Sequence, residues 1–203
     1  VGAGTEYLYS VIIQLLGRNR GYAVEDPGYL RLTRIYEKND VKVHHIPMDP
    51  SGIMPEKLEE SGAEILHITP SHHFPTGVVM PVSRRYEFLS WASKGENRYI
   101  IEDDYDSEFR FDMRPLPSLQ GMAGPDGSVI YLTTFSKSLA PGIRIACMVL
   151  PLRLLARYRA LYGGYSGTVG GLRETFSQLA IDGVKVRDIA LLINFKNSAP
   201  LEF

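Results

Sequence analysis

The sequence predicts an α/β domain built on a mostly parallel sheet with both faces covered. Three observations lead there. Short, almost continuous apolar runs recur, as in EILHIT, RYIIED and VIYLTTF, the pattern of strands buried on both sides. Between them lie longer segments with apolar residues at helical spacing. Glycine and proline punctuate the junctions.

The elements follow in that rhythm. Thr5 opens and Gly17 closes a helix over 5–16 that is rich in Leu, Ile and Tyr. YAVEDPGY, at 22–29, reads as a short strand running into a Pro-Gly turn. The spacing then predicts a helix over 30–39, a strand over 42–46 and a small helix over 55–62 with Pro55 in its first turn. Strands are expected over 64–69, 98–103, 129–135 and 142–151, and helices over 81–94 and 152–162. Past about residue 163 the Gly-rich segment GGYSGTVGG breaks the alternation, and a helix over 171–182 is the last expectation. There is no internal repeat and no low-complexity tract.

The bulk numbers exclude several classes. With 44% apolar and 22% charged residues in 203, the chain has an ordinary globular profile rather than a disordered or fibrous one. A formal net charge of -1 gives no electrostatic footprint for nucleic acid or an anionic membrane. The single cysteine, Cys147, lies in the apolar run IACMVL and reads as a small buried hydrophobe. It permits no disulfide within the chain and no cysteine-based zinc site, which fits a cytoplasmic setting. No apolar run approaches the length of a membrane span. The chain opens at once on a glycine turn and a helix and ends as abruptly, so it is expected to be part of a larger protein.

In a parallel sheet of this kind, ligands gather outside the carboxyl ends of the strands. Five stretches there invite a chemical reading. In TTFSKSLAPGIR (133–144), Lys137 follows an apolar strand directly. It is either a solvated surface lysine or an amine placed to form a Schiff base with an aldehyde cofactor. Arg144, with the hydroxyls of Thr134, Ser136 and Ser138, offers a planar fork and donors suited to phosphate; the alternative is a loop arginine paired with a carboxylate. GAGTE (2–6) supplies two glycines and Thr5 just before a helix, a plausible anion cradle of backbone N–H groups. It is not GxGxxG, so a dinucleotide reading has little support.

EDDYDSEFR (102–110) follows the strand YII. Its acids could be a polar loop or a metal site. A sharper use is a carboxylate from Asp103 on the nitrogen of a pyridine ring, with the Tyr105 phenol near the ring hydroxyl. In EDPGYLR (25–31), Tyr29 could stack on an aromatic ring and Arg31 could meet a carboxylate or phosphate, or Tyr29 is simply packed against its own turn. His67, His72 and His73 lack a third ligand type at metal spacing and read as packed or solvent-facing residues.

Together these stretches resemble the fold-type I aminotransferase superfamily of pyridoxal phosphate proteins. More narrowly they resemble the MocR/GabR family of bacterial regulators, of the GntR type, which join a winged-helix DNA-binding domain to an aminotransferase-like domain. VEDPGY (24–29), ITPSHHFPTGVVMP (68–81), IIEDDYDSEFR (100–110), RPLPSLQ (114–120) and VIYLTTFSKSLAPGIRIACMVLP (129–151) carry the resemblance, which spans roughly residues 1–170. It implies a three-layer large domain, here incomplete, with residues 1–165 as its central part. Residues 166–203 would be a helical extension, and the small domain would be missing.

The resemblance also implies roles. Lys137 would hold pyridoxal 5'-phosphate as an internal aldimine and exchange it for an external aldimine with an amine or amino acid. Asp103 would contact the pyridine nitrogen, Tyr105 the ring hydroxyl, and Tyr29 would stack on the ring. Gly4, Thr5, Thr134, Ser136 and Arg144 would surround the phosphate, and Arg31 would receive a ligand carboxylate. A homodimer is implied, with DNA contacted only through a winged helix outside this chain.

Two departures bear on activity. Phe74 stands where aminotransferases carry an asparagine that bonds the ring hydroxyl, which argues against efficient transamination, and Thr133 stands where glycine is frequent. A regulator's sensing domain is therefore the leading expectation. A class I/II aminotransferase using Lys137 for Schiff-base and proton-transfer chemistry is the alternative, and an inactive truncated fragment is the third.

Overall fold

The computed structural model describes residues 1–106, 116–134 and 145–163. Along them run α1 (Thr5–Leu16), β1 (Gly21–Asp26), α2 (Leu30–Lys38), β2 (Lys42–Asp49), β3 (Gly52–Ile53), α3 (Pro55–Ser61) and β4 (Ile65–Ile68). Then come α4 (Val82–Ser93), β5 (Tyr99–Asp104), α5 (Leu119–Ala123), β6 (Val129–Thr134), β7 (Ala146–Val149) and α6 (Leu152–Tyr162). The seven strands form one sheet in the order β3-β2-β1-β4-β5-β6-β7. Pairing is parallel from β2 through β6, and the flanking strands β3 and β7 run antiparallel. The expected mostly parallel α/β architecture is what forms.

The apolar strand runs conceal a period of two, which sorts side chains between two cores. Tyr22 and Val24 of β1, Ile65 of β4, and Tyr99 and Ile101 of β5 pack with α1, α2 and α6. Their neighbours Ala23, Leu66, Ile68 and Ile100 pack on the other side with Leu58 of α3 and with Phe88 and Trp91 of α4. Helix α1 buries seven residues, Ile12, Ile13 and Leu15 completely, which is why a 12-residue helix with no side-chain cap is held in place.

Two elements escape the sequence reading. β3 is a two-residue strand turned back on β2, the turn closed by Ser51 N–H donating to Asp49 Oδ1 at 2.7 Å. α5 is a five-residue helix whose N-cap, Ser118, accepts from Gly121 N–H at 3.0 Å. Both are too short to show a period. β7 begins at Ala146 within the expected run 142–151. Ser136, Lys137, Ser138, Arg144, the helix expected over 171–182 and the whole extension 166–203 lie outside the described residues.

Candidate functional site

A cavity of about 280 Å³ opens at the carboxyl ends of the central strands, just under the usual range for small-molecule sites. Its wall draws on α1 (Thr5, Tyr9), the end of β1 (Val24, Glu25), the start of α2 (Tyr29, Leu32, Thr33), and the β4 exit (His67, Thr69, Phe74). β5, the turn after it and β6 supply Asp103, Tyr105 and Thr134. Of the sequence-predicted set, Thr5, Tyr29, Asp103, Tyr105 and Thr134 are thus brought together.

Strand periodicity explains why one acid of EDD reaches the cavity. Alternation along β5 sends Asp103 to the α1 side, with Tyr99 and Ile101, and sends Glu102 and Asp104 to the opposite side. There Glu102 accepts from Leu119 and Gln120 N–H, each at 2.9 Å, and Asp104 accepts from the Tyr131 hydroxyl at 2.9 Å. Asp103 is 6% exposed. Its Oδ2 accepts a hydrogen bond from the Tyr9 hydroxyl, and His67 Nε2 stands 3.5 Å from the same oxygen. Its Oδ1 has no partner among the described residues.

His67 is buried and meets the Tyr36 hydroxyl through Nδ1 at 2.6 Å. Burial first, then the neighbouring phenol and the Asp103 charge, push Tyr36 well above the usual tyrosine range. Tyr9 is raised likewise, by burial and then by Asp103. Both phenols therefore stay protonated and can donate. At the β4 exit Glu25, 8% exposed, accepts from Thr69 N–H at 3.1 Å and from its hydroxyl at 2.7 Å. Burial raises this carboxyl to about 7, against the lowering effect of Thr69. His73 Nε2 lies 3.5 Å from Glu25, and burial lowers the imidazole's value.

The rim is aromatic. Tyr29, half exposed at the N-cap of α2, meets Phe74 edge to face with ring centroids 6.1 Å apart. Gly28 makes that turn possible, since a Cβ there would lie 2.2 Å from the Glu25 carbonyl oxygen. Tyr105 stacks on His72 and donates to the His72 carbonyl at 2.9 Å. Burial and nearby acids raise its phenol to about 12. His72 itself is exposed and pairs with Asp106 at 2.7 Å.

At the other end, Gly2 bridges to Ala146 of β7: Gly2 N–H donates to the Ala146 carbonyl at 2.8 Å, and the Gly2 carbonyl accepts from Ala146 N–H at 3.0 Å. This holds the glycine turn beside the sheet. Gly4, at φ 93°, lies in the region that favours glycine and turns the chain into α1. It is buried but does not line the cavity. Arg31 is exposed, pairs with Glu6 at 2.5 Å and stands outside the cavity wall.

Tyr9, Glu25 and Thr69 are site residues that the sequence reading passed over, and it read His67 as a packed or solvent-facing histidine. A signal for Tyr9 existed: it follows Thr5 by four residues, so both occupy one face of α1. Among the described residues, no group of three or more His, Cys, Asp or Glu is placed to hold a metal ion, and no helix is long and apolar enough to cross a membrane.

The family model for aminotransferase class I and II matches residues 1–179. The chain belongs to that family. Among curated proteins it is 41% identical over 169 residues to the HTH-type transcriptional regulator YdeL of Bacillus subtilis, covering 83% of this chain and 36% of that protein. It is 43% identical over 155 residues to the HTH-type transcriptional regulator YhdI of the same organism, covering 76% and 33%. The chain thus spans about a third of the length of these relatives. The kynurenine aminotransferase of Pyrococcus horikoshii, crystallised with PMP, superposes with a TM-score of 0.75 at 26% identity, covering 95% of this chain and 50% of that one. The regulator resemblance expected from EDDYDSEFR and TFSKSLAPGIR is therefore matched by the relatives, and the fold by the solved structures.

Proposed function

We propose that this chain is the pyridoxal phosphate-binding, effector-sensing part of a MocR/GabR-like transcriptional regulator. The observation that carries this reading is Asp103, a buried carboxylate with one unpartnered oxygen in the wall of a small cavity rimmed by Tyr29. A buried acceptor left without a donor costs stability unless a ligand completes it. A pyridinium N–H is a donor of the right kind, and Tyr29 and the Thr5 end of α1 suit the ring face and an anion.

When bound, pyridoxal phosphate supplies an aldehyde that condenses reversibly with primary amines and a ring that withdraws electrons. The chain's residues supply the rest. Lys137 provides the amine that retains the cofactor and yields it to an incoming amine or amino acid. Asp103 accepts the ring N–H and keeps that nitrogen protonated. Tyr29 covers the ring. Gly4, Thr5, Thr134, Ser136 and Arg144 bind the phosphate. Tyr105 turns from the His72 carbonyl to the ring hydroxyl, and Arg31 exchanges Glu6 for a ligand carboxylate. The parent protein acts as a homodimer in the cytoplasm and reaches DNA through a winged-helix domain outside these residues, in keeping with the HTH names of its relatives.

The test is spectroscopic. The purified chain mixed with pyridoxal phosphate should develop the absorbance of a lysine-bound cofactor, and borohydride should fix the label on Lys137. A folded Lys137→Ala chain should show neither. Absence of the band in the folded unsubstituted chain would defeat the proposal.

The likeness to kynurenine aminotransferase favours a second reading, a free-standing transaminase. In it Lys137 also moves the proton between substrate Cα and cofactor C4′. Release of a keto acid from an amino acid by the loaded chain would select this reading; a stable adduct without keto acid selects the sensor.

A further inference from the structure

We propose that Tyr9 is a positioning residue for Asp103. Its hydroxyl occupies Oδ2, which leaves Oδ1 as the acceptor offered to the ring N–H of a pyridine-type ligand. The inference rests on the cofactor reading above and adds to it a residue that composition and motif do not single out.

The geometry is one-sided. Tyr9 is 4% exposed, lies on the buried face of α1, and donates to Oδ2. His67 Nε2 approaches that same oxygen at 3.5 Å. The buried Tyr36 hydroxyl is 2.6 Å from His67 Nδ1. If Nδ1 carried the ring proton, the Nε2 lone pair would face a carboxylate oxygen. Donation from Tyr36 to Nδ1 instead leaves the proton on Nε2, directed at Asp103. One donor, the Tyr9 hydroxyl, thus occupies Oδ2 with His67 Nε2 beside it at 3.5 Å, while Oδ1 has none among the described residues. A carboxylate held in this way can neither rotate freely nor satisfy both oxygens internally.

Helix α1 gives the arrangement a second consequence. Thr5 and Tyr9 are one turn apart on the same face, and both line the cavity. Four residues of helix rise about 6 Å, roughly the length of a substituted pyridine ring. The element that offers its N-terminus to an anion therefore also fixes the acceptor for the ring nitrogen. Among the described residues, the charged and titratable groups around Asp103 are Tyr9 from α1, His67 from β4, Tyr36 from α2, Glu25 from β1, and Tyr105.

The experiment compares two probes on the full chain: pyridoxal phosphate and its 1-deaza analogue, which has a carbon in place of the ring nitrogen. Tyr9→Phe should weaken pyridoxal phosphate about tenfold, the scale of a disturbed hydrogen bond to a charged group. Affinity for the deaza analogue should stay unchanged. An equal loss for both probes would mean general damage to the cavity and would overturn the inference, as would no loss for either. If the unsubstituted chain binds neither probe, the cofactor reading itself fails and takes this one with it.

A chain carrying 3-fluorotyrosine at position 9 keeps the ring and hydroxyl but makes a stronger donor, so it answers the question even if Tyr9→Phe does not fold. With ¹⁵N-labelled pyridoxal phosphate bound, its ring-nitrogen resonance should shift from that of the unsubstituted chain. An unmoved resonance rejects the role.

Discussion

Two adjacent acids of β5, facing opposite sides of the sheet, are partnered in different ways. On the α4 side, Glu102 is fully buried and accepts from two backbone N–H groups. Beside it Arg85, 1% exposed, donates to the carbonyls of Met80, Pro117 and Pro70 at 3.2, 3.0 and 2.9 Å. On the α1 side, the next residue of the same strand, Asp103, keeps an oxygen without a partner. Satisfied buried polar groups secure a fold. Unsatisfied ones lower stability and persist where a ligand completes them. Adjacent residues of β5 thus differ: Glu102 is satisfied within the fold, and Asp103 keeps one oxygen facing the cavity side without a hydrogen-bond partner among the described residues.

The largest expected effect breaks the structural side. Arg85→Met removes the guanidinium that ties the β4 exit, the start of α4 and the loop before α5, and it strips Glu102 of a cation 3.7 Å away. Removing one partner from a buried ionic network costs about 3–5 kcal/mol, so urea unfolding should show a loss of that order. Adding Glu102→Gln should recover part of it. A loss below about 1 kcal/mol would mean that the network is not what joins these loops.

A pH experiment sharpens the comparison. Glu25 and Glu102, one at the cavity and one at the network, are both raised by burial from the ordinary 4.5 to about 7. The folded state then holds these protons more tightly than the unfolded chain, so stability declines as pH rises from about 4.5 to about 7 and is level above that. Glu25→Gln keeps an acceptor for Thr69 and removes one of the two contributions. It should flatten the decline by about 3 kcal/mol, measured as unfolding free energy against pH. An unchanged slope would show that Glu25 ionises as readily in the folded chain as in the unfolded one.

Much of this was legible in the sequence, for reasons that can be named. α1, α4 and α6 are long enough for their period to show, and β4, β5 and β6 are bounded by turn residues. The motifs lie where a parallel sheet puts ligands, and Thr5, Tyr29, Asp103, Tyr105 and Thr134 line one cavity. What could not be read is the pairing of distant side chains. Nothing local tells that Tyr9 meets Asp103, 94 residues away, or that Arg85 serves loops from both its neighbours. Arg31 shows the reverse: the motif suggests a carboxylate, and the carboxylate it meets here is Glu6.

The smallest expected change in stability is the most informative. Asp103→Asn keeps the shape of the side chain and an acceptor for Tyr9 while removing a buried charge whose second oxygen is unpartnered. Its unfolding free energy should therefore stay within about 1 kcal/mol of the unsubstituted chain, on either side. Affinity for pyridoxal phosphate should nevertheless fall at least about tenfold, because an amide cannot hold the ring nitrogen protonated as a carboxylate does. The opposite pattern, a large loss of stability with binding intact, would place Asp103 in the same class as Glu102. The asymmetry between the two sides of the sheet would then be a matter of packing alone.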